Sequence, residues 1–169
     1  MDGRPRGRRY TRWLNWFRER SSACVTSNRP HLASRWPDLP DFIETVPYSA
    51  EIRERISNPR RLGSIPHANG RGEDENPICG DVLALSIRVE RGIIADAGFE
   101  AFGCAPSIAA GDAVAELIIG LTVQDAAGIG LDQIDECLGG LPRTKRHSAQ
   151  LAVTVLSKAI ADYEKRRES

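Results

Sequence analysis

Residues 79–104 read CGDVLALSIRVERGIIADAGFEAFGC, a stretch that opens and closes on cysteine. Leu83, Leu85, Ile87 and Val89 alternate with Ala84, Ser86 and Arg88, the period-two pattern of a strand with one buried face. After Glu90-Arg91-Gly92 the alternation resumes in Ile93, Ala95, Ala97, Phe99 and Ala101, so the segment predicts a β-hairpin. The apolar faces then select the register. A two-residue loop pairs odd positions with even ones and sets Leu83 beside Glu100. A three-residue loop, with Gly92 left-handed, pairs Leu83 with Phe99 and Leu85 with Ala97 and keeps both apolar sets together. The second register is the expected one.

Extending that register sets Cys79 opposite Gly103, next to Cys104. Asp81 follows Cys79 by two residues and is expected on the same face. A Cys79–Asp81–Cys104 cluster therefore follows from hairpin geometry. Taken singly, such cysteines are more often small buried hydrophobes. Brought together beside an acid, they point instead to metal chemistry.

The flanks read as helices. Tyr48 to Ile56 predicts a short one, capped by Ser49, paired from Glu51 to Arg55 and stopped by Asn58-Pro59. Residues 63–76 are rich in Gly, Asn and Pro and read as an irregular loop, with a short edge strand near Pro77-Ile78. After Cys104, Pro106 and Ser107 suit a helix first turn, and Ile108, Val114, Leu117 and Ile118 give an apolar stripe that ends at Gly120. Two short helices are expected around Thr122–Ala127 and Asp132–Leu138. A long final helix runs from about Arg143 to Lys165 with Leu151, Val155 and Ala159 on one stripe, and His147 falls one turn before Leu151. The expected fold is α+β: a small antiparallel sheet of two to three strands, packed on one face by helices, with a long C-terminal helix.

The 169 residues suffice for one domain with a real core. Their formal net charge of zero hides a split. Residues 1–40 hold nine Arg and three acids together with all three Trp, which makes them a basic leader ahead of an acidic body, residues 41–169. The leader has no hydrophobic signal core, and no apolar run approaches the roughly 20 residues needed to span a bilayer. The leader fits a disordered tail, an organelle transit peptide or an upstream stretch translated through a misassigned start; a disordered or artefactual leader and a cytoplasmic location, with no membrane or nucleic-acid partner, are the expectations. Cys24 and His31 in the leader and His67 in the loop receive no site. Cys137 is assigned to packing, and Ser148 is read as a solvated or first-turn helix serine.

Several motifs, in order, resemble the NifU/IscU-type scaffold family over residues 47–166, the SufE/NifU-like fold. Tyr48-Ser49, Asn58-Pro59-Arg60 and Gly63-Ser64 are similar to its opening helix and turn. Cys79-Gly80-Asp81 and Phe102-Gly103-Cys104 are similar to its first two ligand motifs. Leu141-Pro142, Lys145 and His147 match the loop that carries its chaperone-recognition Leu-Pro and its ligand histidine, and Ala159-Ile160-Ala161-Asp162-Tyr163 matches the last helix. One position departs. The family's third cysteine follows the histidine, and here that residue is Ser148. A serine carries no persulfide, and its neutral hydroxyl is a poor iron or zinc ligand.

The resemblance implies a ligand set of Cys79, Asp81, Cys104 and His147 for a labile [2Fe–2S] cluster or iron, with zinc as the alternative. It implies an assembly scaffold or carrier, not an enzyme, that hands its cluster to recipient apoproteins. Its implied partners are a cysteine desulfurase and a chaperone at Leu141-Pro142. The rival reading is a zinc-binding interaction module that docks on and modulates a cysteine desulfurase. A fold that has kept its shape and binds nothing is the third.

Overall fold

The computed structural model describes residues 48–77 and 79–168; the basic leader, with Cys24 and His31, lies outside them. Helix α1, Ala50–Ser57, starts where the Ser49 hydroxyl accepts the Ile52 N–H and stops at Asn58. Three strands follow: β1, Gly70–Glu75, β2, Val82–Glu90, and β3, Ile93–Phe102. They form one antiparallel sheet in the order β1-β2-β3. Helix α2, Ala105–Ile118, α3, Val123–Ala127, and α4, Leu131–Cys137, lead through a 3-10 turn, Arg143–Lys145, into α5, Arg146–Glu168. Among the described residues no helix is long and apolar enough to cross a membrane.

The hairpin forms, but by a different turn from the expected one. Arg91 (φ 52°) and Gly92 (φ 77°) make a two-residue loop that closes Glu90 on Ile93. Two successive positive φ values give this turn the twist that flanking strands require. Arg88 pairs with Asp96 while Val89 pairs with Ile94, so Ala95 is an extra, bulged residue. The bulge restores odd-to-odd pairing, with Leu83 on Ala101 and Leu85 on Phe99. It also turns Ile94 inward and leaves Ile93 46% exposed. The expected register was thus two residues off, yet on the correct face.

The expected loop at 63–76 is a second correction. Its sequence GRGEDE has no strand character, and β1 exists because α5 lies directly on it. A Cβ on Gly72 would stand 2.2 Å from Val155 O, and one on Gly70 would stand 2.5 Å from Ala159 O. Only glycine lets helix and strand backbones approach this closely. Of the edge strand expected near Pro77-Ile78, Pro77 lies in a turn and Ile78 is outside the described residues.

On the same face, Gly111 of α2 seats its backbone against Phe99 and Leu83. Ile108 and Leu117, expected on the buried stripe of α2, are partly exposed, because small residues such as Ala109, Ala110 and Ala113 let the helix sink against the sheet. The core joins Leu83, Leu85, Ile87 and Phe99 of the sheet to Val114, Val155 and Leu156 of the helices. On the opposite face, residues 61–63 pair along the free edge of β3, and Ile65 N–H reaches the Ser86 hydroxyl over Gly98.

Candidate functional site

Three chain segments deliver four side chains to one end of the sheet. Cys79 lies in the β1–β2 turn, where Gly80 (φ 69°) bends the chain and Asn76 N–H closes on Asp81 O at 2.8 Å. Asp81 immediately precedes β2. Cys104 follows β3 and is the N-cap of α2. His147 sits in the first turn of α5. The turn, not strand alternation, sets Asp81 beside Cys79.

Gly103 makes room for the carboxylate, since a Cβ there would lie 2.6 Å from Asp81 Cγ. One ligand atom from each of Cys79, Asp81 and His147 lies within 4.8 Å of the other two, and no other group of three such side chains converges among the described residues. Cys104 Sγ lies 3.1 Å from Asp81 Oδ2. Cys104 thus touches Asp81 but is not one of the three side chains whose ligand atoms all lie within 4.8 Å of one another. Cys79 is exposed, Cys104 half-buried, and Asp81 only 4% exposed.

Asp81 is unusually well supplied with donors. Its Oδ1 accepts the Cys104 N–H at 3.0 Å, and its Oδ2 accepts the Ser107 hydroxyl at 2.5 Å as well as the Cys104 thiol. Burial works against its charge, but hydrogen bonds from Ser107, Cys104 and Cys79 outweigh that penalty and hold the carboxyl at about 2. Desolvation, followed by the Asp81 carboxylate and the Cys104 sulfur, pushes the Cys79 thiol up despite a hydrogen bond from the Asp81 N–H. Among the described residues Asp81 joins no ion pair. Beside it, His147 Nε2 is shielded from solvent and has no hydrogen-bond partner. A buried anion without a countercharge and an unpartnered imidazole nitrogen, flanked by two thiols, fit a soft or borderline cation.

Two serines belong to this site that the sequence did not reveal as such. Ser148 is fully buried, not solvated, and its Oγ lies 3.0 Å from that of Ser107. The spacing of Ser107, one turn after Cys104, was the available signal. Cys137 stands elsewhere, 3.7 Å from the Arg55 guanidinium at the end of α4. His67 (φ 58°) is in the loop before β1. The Leu141 N–H binds Asp135 Oδ1 at 2.5 Å, which ties the Leu141-Pro142 loop to α4.

The sequence profile of the NifU-like N-terminal domain matches residues 47–169. An iron–sulfur cluster assembly scaffold protein, IscU 1 of Archaeoglobus fulgidus, is 40% identical over 116 residues, which span 69% of this chain and 76% of that protein. The Escherichia coli scaffold protein IscU is 38% identical over 126 residues, 72% of this chain and 98% of its own. Among solved structures, an iron–sulfur cluster assembly scaffold protein for the SUF system from Fervidobacterium islandicum superposes with a TM-score of 0.55 at 25% identity, over 72% of this chain and 99% of that one. The N-terminal part of a NifU-like protein from Brucella abortus gives 0.55 at 19% identity, over 74% and 96%, and supports the fold alone.

Proposed function

This chain belongs to the NifU-like N-terminal domain family, and we propose that it is an iron–sulfur cluster assembly scaffold whose cargo sits on Cys79, Asp81, Cys104 and His147. The observation that carries this reading is the buried Asp81 carboxylate, in no ion pair among the described residues, beside the unpartnered His147 Nε2 and the cysteines. Two thiolates, an imidazole and a carboxylate suit a [2Fe–2S] cluster, and the same donors accept zinc. The carboxylate is the weak member of the set, already shared among protein donors, so the cargo is held loosely enough to be handed on. Such a site binds and transfers without turning over a substrate.

Its partners in this reading are a cysteine desulfurase as sulfur donor and apoproteins as recipients, in the cytoplasm. Leu141-Pro142 offers a chaperone contact. Ser148 stands where the family has a cysteine, so sulfur enters through the remaining thiols. Cys79 is the more accessible of the two. The scaffold domain in the same reading is residues 41–169.

Anaerobic reconstitution with iron and sulfide tests the proposal. The visible charge-transfer bands of a cluster should develop in the full chain and vanish in Cys104→Ala. A colourless protein with one tightly held zinc that iron and sulfide do not displace would overturn the cluster assignment.

A further inference from the structure

Ser107 and Ser148 are both fully buried at the base of the site. A hydroxyl has one proton to give. In the 3.0 Å contact between the serines Ser107 is the better-aligned donor, but its single proton is drawn to the closer and charged Asp81 Oδ2, which can only accept, so Ser148 supplies the proton between the two hydroxyls. The result is a directed chain from the Ser148 hydroxyl through the Ser107 hydroxyl to the Asp81 carboxylate. Links in such a chain polarise one another. Ser107 also lies 3.6 Å and Ser148 3.9 Å from Cys104 Sγ, so the chain runs along the flank of a cysteine of the site.

We propose that Ser107 and Ser148 form a hydroxyl relay that positions the Asp81 carboxylate for metal, so that residue 148 acts on the site through Asp81 and not as a ligand. The inference rests on the reading of Cys79, Asp81, Cys104 and His147 as the metal-binding set. Two anchors fix the plane of the carboxylate: the Cys104 N–H on Oδ1 and the Ser107 hydroxyl on Oδ2. The thiol bond from Cys104 to Oδ2 cannot persist once that sulfur gives up its proton to bind metal. The relay needs no such release, so it is what holds Oδ2 in the loaded site. A cysteine at 148 would offer only a weak S–H donor and could not anchor the chain in the same way.

Anaerobic titration of the full chain with cobalt(II), read by its thiolate charge-transfer and ligand-field bands, tests the relay. Far-UV circular dichroism checks the fold of each variant. Ser107→Ala should weaken cobalt binding roughly 10- to 100-fold, the usual cost of losing a group that orients a ligand. Ser148→Ala should weaken it by a smaller factor, and Ser107→Thr, which keeps the hydroxyl, should restore wild-type affinity. In an Asp81→Ala background neither serine substitution should have any further effect. Should Ser107→Ala not fold, Ser148→Ala with and without Asp81→Ala makes the same comparison. Unchanged affinity in the single variants, or equal losses with and without Asp81, would overturn the relay and leave the site standing. A wild-type chain that takes up no cobalt would overturn both.

Discussion

Two buried aspartates lie within one short stretch of structure and have opposite surroundings. Asp112, in the middle of α2, is fully buried and fully answered. Its Oδ1 accepts the N–H groups of Arg60 and Arg61 at 2.7 and 2.8 Å, and its Oδ2 binds the buried Arg55 guanidinium at 2.6 Å. Arg55 in turn reaches Glu116 at 2.7 Å and Glu51 at 2.8 Å, so each carboxylate of the cluster meets a guanidinium within the protein. Asp81, beside the start of the same helix, receives only dipoles: three hydroxyl or thiol donors and one amide. An anion taken from water must be stabilised by hydrogen bonds, by a cation, or by both. At Asp112 the cation is an arginine. At Asp81 the chain supplies none among the described residues, and this difference separates a structural clamp from a binding site.

Removing the clamp's cation should give the largest effect. Arg55→Met leaves Asp112 with its two amides and no charge partner, and should cost about 3–5 kcal/mol of stability. Urea unfolding measures it, and the metal affinity of the folded fraction should not move. A loss below about 1 kcal/mol would erase the contrast between the two aspartates.

Gly103→Ala attacks the other side of the comparison. The new Cβ meets Asp81 Cγ and Oδ1 at 2.6 Å and must push the carboxylate away. Metal affinity should fall about tenfold or more, with a far smaller change in the unfolding midpoint than in Arg55→Met. Zinc competition with a chromophoric chelator reads the affinity directly.

The smallest effect is a pH dependence. The Asp81 carboxyl is held at about 2 in the folded protein, below its ordinary value near 3.9. It therefore contributes stability that is fully present above pH 5 and is lost as pH falls toward 2. The metal-free protein should lose on the order of 1–2 kcal/mol from this source. Asp81→Asn should flatten that part of the curve. An unchanged acid limb in Asp81→Asn would mean that other groups dominate it.

The strands of the hairpin were legible because parity is robust. Moving the register by two residues, as the Arg91-Gly92 turn and the Ala95 bulge do, leaves Leu83, Leu85 and Phe99 on the core face. The same robustness brought Cys79, Asp81 and Cys104 to one end of the sheet although the pairing was not the expected one. The bulge itself carries no local signature, since Ile93 and Ile94 are equally apolar. Strand β1 was illegible for a different reason. Gly70 and Gly72 are explained by a helix some 85 residues further along the chain, and composition alone reads them as loop. At the site, His147 was reached through its family motif. Ser148 does stand in a helix first turn, but its burial was not legible because its surroundings are built from Ser107 and Cys104, more than forty residues earlier.

The claim that Asp81 awaits a cation is tested most directly by the stability of the metal-free chain with and without zinc or ferrous iron under anaerobic conditions. A ligand that binds only the folded state adds about 2.7 kcal/mol at a hundred times its dissociation constant. The wild-type chain should gain stability on this scale, Arg55→Met should gain the same increment from its lower starting point, and Asp81→Ala should gain much less. Equal increments in wild type and Asp81→Ala, or none in either, would contradict the account.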